Sequence, residues 1–138
     1  EFHAAMGLIN LRYIESILAS RKRQCQQYDE LLSNAPVRTL KRQEHSKWNC
    51  AYYPVLFESE TVALKAKQAL EERNICPRRY FYPSLDTLDY VKNNEVRVSR
   101  DIAKRVLCMP LFFGLKPREQ HVIRDTIYKA FRKISVYE

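Results

Sequence analysis

The stretch from about Phe2 to Leu32 constrains the fold most, because its apolar residues recur at helical spacing over nearly the whole length. Leu11, Ile14, Leu18, Cys25, Tyr28 and Leu32 form one stripe, interrupted where Arg21 falls. A second stripe of Phe2, Met6, Ile9, Tyr13 and Ile17 occupies another face of the first half only. The spacing predicts one long helix, apolar nearly all round at its start and one-sided towards its end. An all-round apolar helix expects burial on every side, so its first turns are expected to pack against another domain or subunit. No Ser, Thr, Asp or Asn precedes the first turn, and Glu1 only has the right sign for the positive helix end. The chain therefore reads as one that begins inside a larger structure. Ser33-Asn34-Ala35-Pro36 stops the helix with an Asn tolerant of left-handed backbone and a proline behind it.

Residues 37–48 are polar and basic, a connection or a short edge strand. Cys50 to Phe57 is rich in aromatic and β-branched residues and predicts a strand. Pro54 cannot donate to a ladder, which makes that strand an edge or a bulged one. Ser59 can cap a helix running to Arg73, with Val62, Ala66, Ala69 and Leu70 inward and Asn74 at its end. Ile75 to Phe81 predicts a second strand, broken by Tyr82-Pro83-Ser84, and a loop follows to about Val96. Ser99 is the expected cap of a short helix through Val106. Leu107 to Leu111 reads as a short buried strand or extended segment. Pro117 suits the first turn of a last helix whose inner face is Val122, Ile123, Ile127, Ala130, Phe131 and Ile134. The expected fold is α+β: a long N-terminal helix and a short, mainly antiparallel sheet covered by helices.

Composition removes several functions. Two glycines disfavour a glycine-rich phosphate cradle. The net charge is +8, but the tight basic clusters are only Arg21-Lys22-Arg23, Lys41-Arg42 and Arg78-Arg79. Nucleic-acid binding needs a patch and not just a sum, and the aromatics make no RNA-binding signature. Cys25, Cys50, Cys76 and Cys108 form no C-x-x-C pair, and Cys25 and Cys108 fall on apolar positions, as buried free thiols would. His3, His45 and His121 are isolated, so no metal site is expected. No apolar run approaches a membrane span.

No residue pattern makes a catalytic centre. There is no nucleophile elbow and no suggestive Cys–His spacing, and Ser84, close to Arg79 and Asp86 in sequence, belongs to a turn. The most pointed feature is Pro77-Arg78-Arg79-Tyr80-Phe81-Tyr82-Pro83-Ser84-Leu85. Two guanidinium groups among aromatic rings at a strand end can grip an anion. Strand alternation puts Arg78, Tyr80 and Tyr82 on one face and Arg79 and Phe81 on the other. The competing interpretation is an edge strand with a solvated basic face and rings in the core. The Arg21-Lys22-Arg23 run reads as a solvated helix face, and Tyr52 and Tyr53 as strand packing.

Four segments, in this order, resemble the DegT/DnrJ/EryC1/StrS family of sugar aminotransferases. Glu1 to Leu8 with Leu11 is similar to the family's helix with an Ala-Ala-x-Gly-Leu core. Asn49 to Phe57 is similar to its Tyr-x-Pro-Val-Leu-Phe strand, and Arg78 to Leu85 to the strand and turn of one subgroup. Val98 to Ala103 followed by Arg105 to Leu111 resembles its Ser-x-x-Ile-Ala, Val-Leu-x-x-Pro-Leu run. The resemblance implies a fold-type I, pyridoxal-phosphate-dependent enzyme, usually a homodimer in the cytoplasm. Such an enzyme moves an amino group from glutamate to a nucleotide-linked keto sugar for surface polysaccharide.

The family's Schiff-base lysine lies in a large domain that precedes the segment seen here, and none of this chain's lysines sits in a matching motif. Residues 1–138 are thus expected to be a single C-terminal small domain with the large cofactor-binding domain absent. No catalytic, cofactor-binding or metal residue is expected in it, and it should be inactive alone. Small-domain residues near the family's active site fall on Arg78, Arg79, Tyr80 and Tyr82, the expected substrate-facing edge. The alternative from a different class is a stand-alone basic binding or interaction module without catalysis.

Overall fold

A computed structural model of the chain describes residues 1–41, 43–91 and 96–132. The helical N-terminal stretch is two helices, α1 (Phe2–Arg12) and α2 (Ile14–Leu31), in place of the single one expected. They join at Tyr13, whose N–H reaches back only three residues to the Asn10 carbonyl (3.1 Å) at φ −106° and ψ 6°. That tightened turn relaxes the helix where packing stops. No α1 residue is buried, whereas α2 turns Cys25 and Tyr28 into the core. Phe2, Met6, Ile9 and Tyr13 are all exposed, and so are Leu8 and Leu11.

The sheet is antiparallel in the order β1-β2-β3, from β1 (Arg38–Thr39), β2 (Tyr53–Leu56) and β3 (Val106–Met109). Strand β2 is central, not an edge, despite Pro54. Its partner Cys108 exchanges both backbone bonds with Arg78 on the far side (3.1 and 2.8 Å), so Pro54 loses no ladder bond to β3. The expected strand from Ile75 to Phe81 shrinks to that one Arg78–Cys108 bridge. The next hydrogen-bonding pair would need an N–H from Pro110, which has none, and the chain turns away at Tyr80.

Helix α3 (Glu60–Glu71) starts as expected, with the Ser59 hydroxyl accepting from the Val62 N–H at 3.3 Å. It ends on Asn74 at φ 60°, and the Ile75 N–H closes back on Leu70 (3.0 Å), a left-handed helix stop. Asn34 does not take that conformation after α2; among the described residues positive φ falls at Cys50, Asn74 and Gly114. Helix α4 (Arg97–Arg105) begins before Ser99, which therefore does not cap it. Helix α5 (Pro117–Arg132) opens on Pro117. Its inner face is Gln120, Ile123, Thr126, Ile127 and Ala130, while Val122 is exposed and Ile134 lies outside the described residues.

Tyr53, Val55, Leu107 and Met109 share one sheet face and meet Tyr28 of α2, Ala63, Ala66 and Leu70 of α3, and Ile123 and Ile127 of α5. Two alanines allow α3 and α5 to approach closely. Among the described residues no helix is long and apolar enough to cross a membrane.

Ser84 does sit in a turn, before a 3₁₀ turn over Leu85–Thr87. Asp86 accepts from the Ser84 hydroxyl, from Arg100 Nε (2.6 Å) and from the Val96 N–H at the head of α4 (3.2 Å). These donors, Ser84 first, pull the Asp86 carboxyl down to about 2. A depressed folded value gives stability that is complete above the ordinary carboxylate range near 4 and is lost as pH falls towards about 2. Acid unfolding followed by circular dichroism is expected to steepen across that window, and Asp86→Asn to flatten it. An unchanged profile in the variant would show that this cluster does not link the loop to α4.

Candidate functional site

A single β-bridge brings the site together. Because Arg78 exchanges both backbone bonds with Cys108, residues 76–80 run alongside the end of β3. The chain leaving β3 is tied down from the other side. The Tyr28 hydroxyl donates to the Pro110 carbonyl (3.1 Å), and the Gln24 amide donates to the Phe112 carbonyl (2.8 Å). Gln120 of α5, fully buried, donates to the backbone carbonyl of Gln24 (2.9 Å). Burial pushes the Tyr28 phenol up, so it stays a neutral donor. Facing this segment across the bridge, a cleft of about 450 Å³ opens between α2, the 76–80 segment and residues 108–112.

Arg21, Tyr52, Cys76, Arg78, Tyr80 and Phe112 contribute to its lining. The Arg78 guanidinium donates to the Tyr80 hydroxyl, and Tyr52 stands edge-on to Tyr80 with ring centroids 5.1 Å apart. The Tyr80 oxygen beside it raises the Arg78 pKa, so its charge is permanent. Cys108 also lines the cleft, and burial pushes its thiol up, leaving it uncharged near neutrality. Among the described residues the lining holds two arginines and neither a carboxylate nor a lysine. Such a concavity attracts anions, and guanidinium forks match carboxylate and phosphate oxygens.

Of the four residues expected at a substrate-facing edge, the structure brings Arg78 and Tyr80 into this cleft and turns Arg79 and Tyr82 elsewhere. Arg79 donates to Glu60 at the start of α3 and to the Lys104 carbonyl at the end of α4 (2.7 Å). Its guanidinium lies 3.5 Å from the Tyr82 ring centroid. Strand alternation had joined Tyr82 to Arg78; with only one bridge formed, no strand carries that alternation past Tyr80.

The sequence expectations missed Arg21, Tyr52, Cys76 and Phe112 of the lining. Arg21 is half-buried, unlike its exposed neighbours Lys22 and Arg23, so the run is not uniformly a solvated face. The signal was its position, a cation interrupting an apolar helical stripe. Tyr53 does pack in the core, with its hydroxyl donating to Asp29 (2.8 Å), but Tyr52 on the opposite side of the chain is about half exposed at the cleft.

The chain is similar to known proteins over most of its length. The dTDP-4-amino-4,6-dideoxy-D-glucose transaminase of Escherichia coli is 27% identical over 135 residues, covering 91% of this chain. The enzyme of the same name from Shigella dysenteriae is 31% identical over 134 residues, covering 92%. The chain spans 36% of the length of each of these relatives. Among solved structures, DesI, crystallised in the presence of its TDP-sugar product, superposes with a TM-score of 0.84 at 21% identity. That match covers 97% of this chain and 36% of DesI, and shows a shared fold. The sequence model of the DegT/DnrJ/EryC1/StrS aminotransferase family matches residues 1–127. The chain belongs to the DegT/DnrJ/EryC1/StrS aminotransferase family.

Proposed function

We propose that this chain is the C-terminal small domain of a pyridoxal-phosphate-dependent nucleotide-sugar aminotransferase, where it forms the substrate side of the active-site cleft. The parent enzyme transfers an amino group from glutamate to a nucleotide-linked keto sugar, as a homodimer in the cytoplasm. Family membership and the names of the two transaminase relatives support the reaction class. The observation that carries the role of this chain is the cleft itself, with Arg78 and Tyr80 held at its wall by the Arg78–Cys108 bridge.

Among the described residues the lining of this cleft offers no lysine for a cofactor Schiff base. Pyridoxal phosphate needs a lysine for its Schiff base, and every described lysine is exposed or half-exposed, with none at the cleft. We assign the Schiff-base lysine to the large domain of the parent enzyme. What these residues supply is binding and orientation: Arg78 a fixed positive charge, Tyr80 a hydroxyl held by that charge, and Tyr52 and Phe112 apolar walls.

Incubation of the chain with pyridoxal phosphate, borohydride reduction and peptide mass mapping tests this. Only scattered, substoichiometric adducts are expected, and one stoichiometric adduct at a single lysine would sink the assignment. Joined to a lysine-bearing large domain, the chain is expected to support amino transfer from glutamate to a dTDP-linked keto sugar. Ligand binding without transfer in the joined protein would favour the stand-alone binding module.

A further inference from the structure

Of the three described arginines whose Nε is sealed from solvent without a hydrogen-bond partner, Arg21, Arg79 and Arg124, Arg21 is the one that lines the cleft. It comes from α2, not from the Arg78 segment, yet lines the same cleft. A buried guanidinium N–H without an acceptor is costly, and turning the Arg21 guanidinium into the cleft towards a ligand oxygen would remove that cost. Arg78 offers a second fork from another wall, and no described carboxylate in the lining neutralises either. Beside the two cations stand flat apolar surfaces, Tyr52 and Phe112, each about half exposed. A pair of guanidinium groups next to exposed rings suits a ligand with clustered oxyanions and a planar ring. The cleft's volume of about 450 Å³ is that of a small-molecule site.

We infer that Arg21 and Arg78 form a two-armed clamp for the diphosphate of a nucleoside diphosphate, with Tyr52 and Phe112 flanking its base. This deepens the aminotransferase proposal and rests on it for the substrate class. Arg21 thereby becomes a binding residue, and the interruption it makes in the α2 stripe acquires a purpose. Gln24 and Tyr28 hold residues 110–112 in place beneath the ligand.

The test is a titration of the 138-residue chain with dTDP, pyrophosphate, thymidine and glutamate, read by amide NMR shifts, which also report whether each variant is folded. Pyrophosphate and dTDP are expected to shift the same cleft amides, and thymidine alone to bind more weakly. Arg21→Ala and Arg78→Ala should each weaken dTDP about tenfold or more, as loss of a charge-assisted pair does. Arg21→Lys should be intermediate, because it keeps the charge and loses the fork. Arg23→Ala, which removes an exposed charge from the same helix, should leave affinity within about twofold, ruling out attraction by net charge.

Equal losses in the Arg21 and Arg23 variants, no diphosphate binding, or a cleft that takes glutamate in preference to dTDP would each overturn the clamp. In the joined enzyme, amino transfer with a KM for the nucleotide sugar unmoved by Arg21→Ala would remove the clamp and leave the function standing. Clamp binding with no amino transfer would do the reverse.

Discussion

Replacing Phe57 by alanine is expected to lower the unfolding free energy by about 3–5 kcal/mol, the range for emptying a large aromatic site in a packed core. Phe57 follows β2 and is fully buried, with its ring stacked on Phe131 at a centroid distance of 6.0 Å and an interplanar angle of 18°. The backbone there cannot easily settle into the space left behind. The Phe57 N–H donates to the Arg105 carbonyl (3.0 Å), and Arg105 Nη1 donates to the Phe57 carbonyl (2.9 Å). Arg105 is itself held by Asp101 four residues earlier. Domains of this size are stable by only about 5–15 kcal/mol, so the loss is a large share of the total. Urea unfolding followed by circular dichroism measures it, with Phe57→Leu expected to cost far less. A loss under about 1 kcal/mol for the alanine variant would show that the ring is not enclosed.

Arg79→Ala is expected to cost about 2 kcal/mol of stability while changing dTDP affinity by less than about twofold. One guanidinium joins three elements: Glu60 at the head of α3, the Lys104 carbonyl at the tail of α4, and the face of Tyr82. A cation at a helix C-terminus and a carboxylate at a helix N-terminus are each favoured by the helix dipole. Part of the Glu60 side chain is solvated, which holds the expected cost below that of a buried pair. Arg79→Lys is expected to recover little, because an ammonium cannot lie flat on Tyr82 while donating to both oxygens. Arg78→Ala should behave in the opposite way, with little loss of stability and a large loss of ligand. If Arg79→Ala weakened dTDP as strongly as Arg78→Ala, the division between scaffold and cleft arginines would fail.

Some local signals held, while those at Ser99 and Asn34 did not. Ser59 capping α3, Pro117 opening α5 and Asn74 closing α3 each act through their own backbone neighbourhood, so composition alone announces them. The buried stripe of Cys25, Tyr28 and Leu32 followed from helical period. Four family-like segments in order carried the lineage. The strand from Ile75 to Phe81 was misjudged because its sequence has strand propensity but its one available neighbour carries Pro110 where a donor was required. Pro54 misled in the opposite sense: whether a missing N–H matters depends on which side of the strand it faces, and pairing decides that.

The candidate site divides in the same way. By itself the sequence determined that an arginine and tyrosine cluster exists around residues 78–82, because residue types are local information. Only the tertiary structure decided that Arg78 and Tyr80 enter the cleft while Arg79 and Tyr82 brace α3 and α4. It also decided that Arg21, 57 positions earlier in the chain, stands at the cleft beside Arg78. The physical reason is that a side chain's partner is set by which backbone runs alongside it. Here one bridge to Cys108 and the Gln24, Tyr28 and Gln120 bonds bring the walls together.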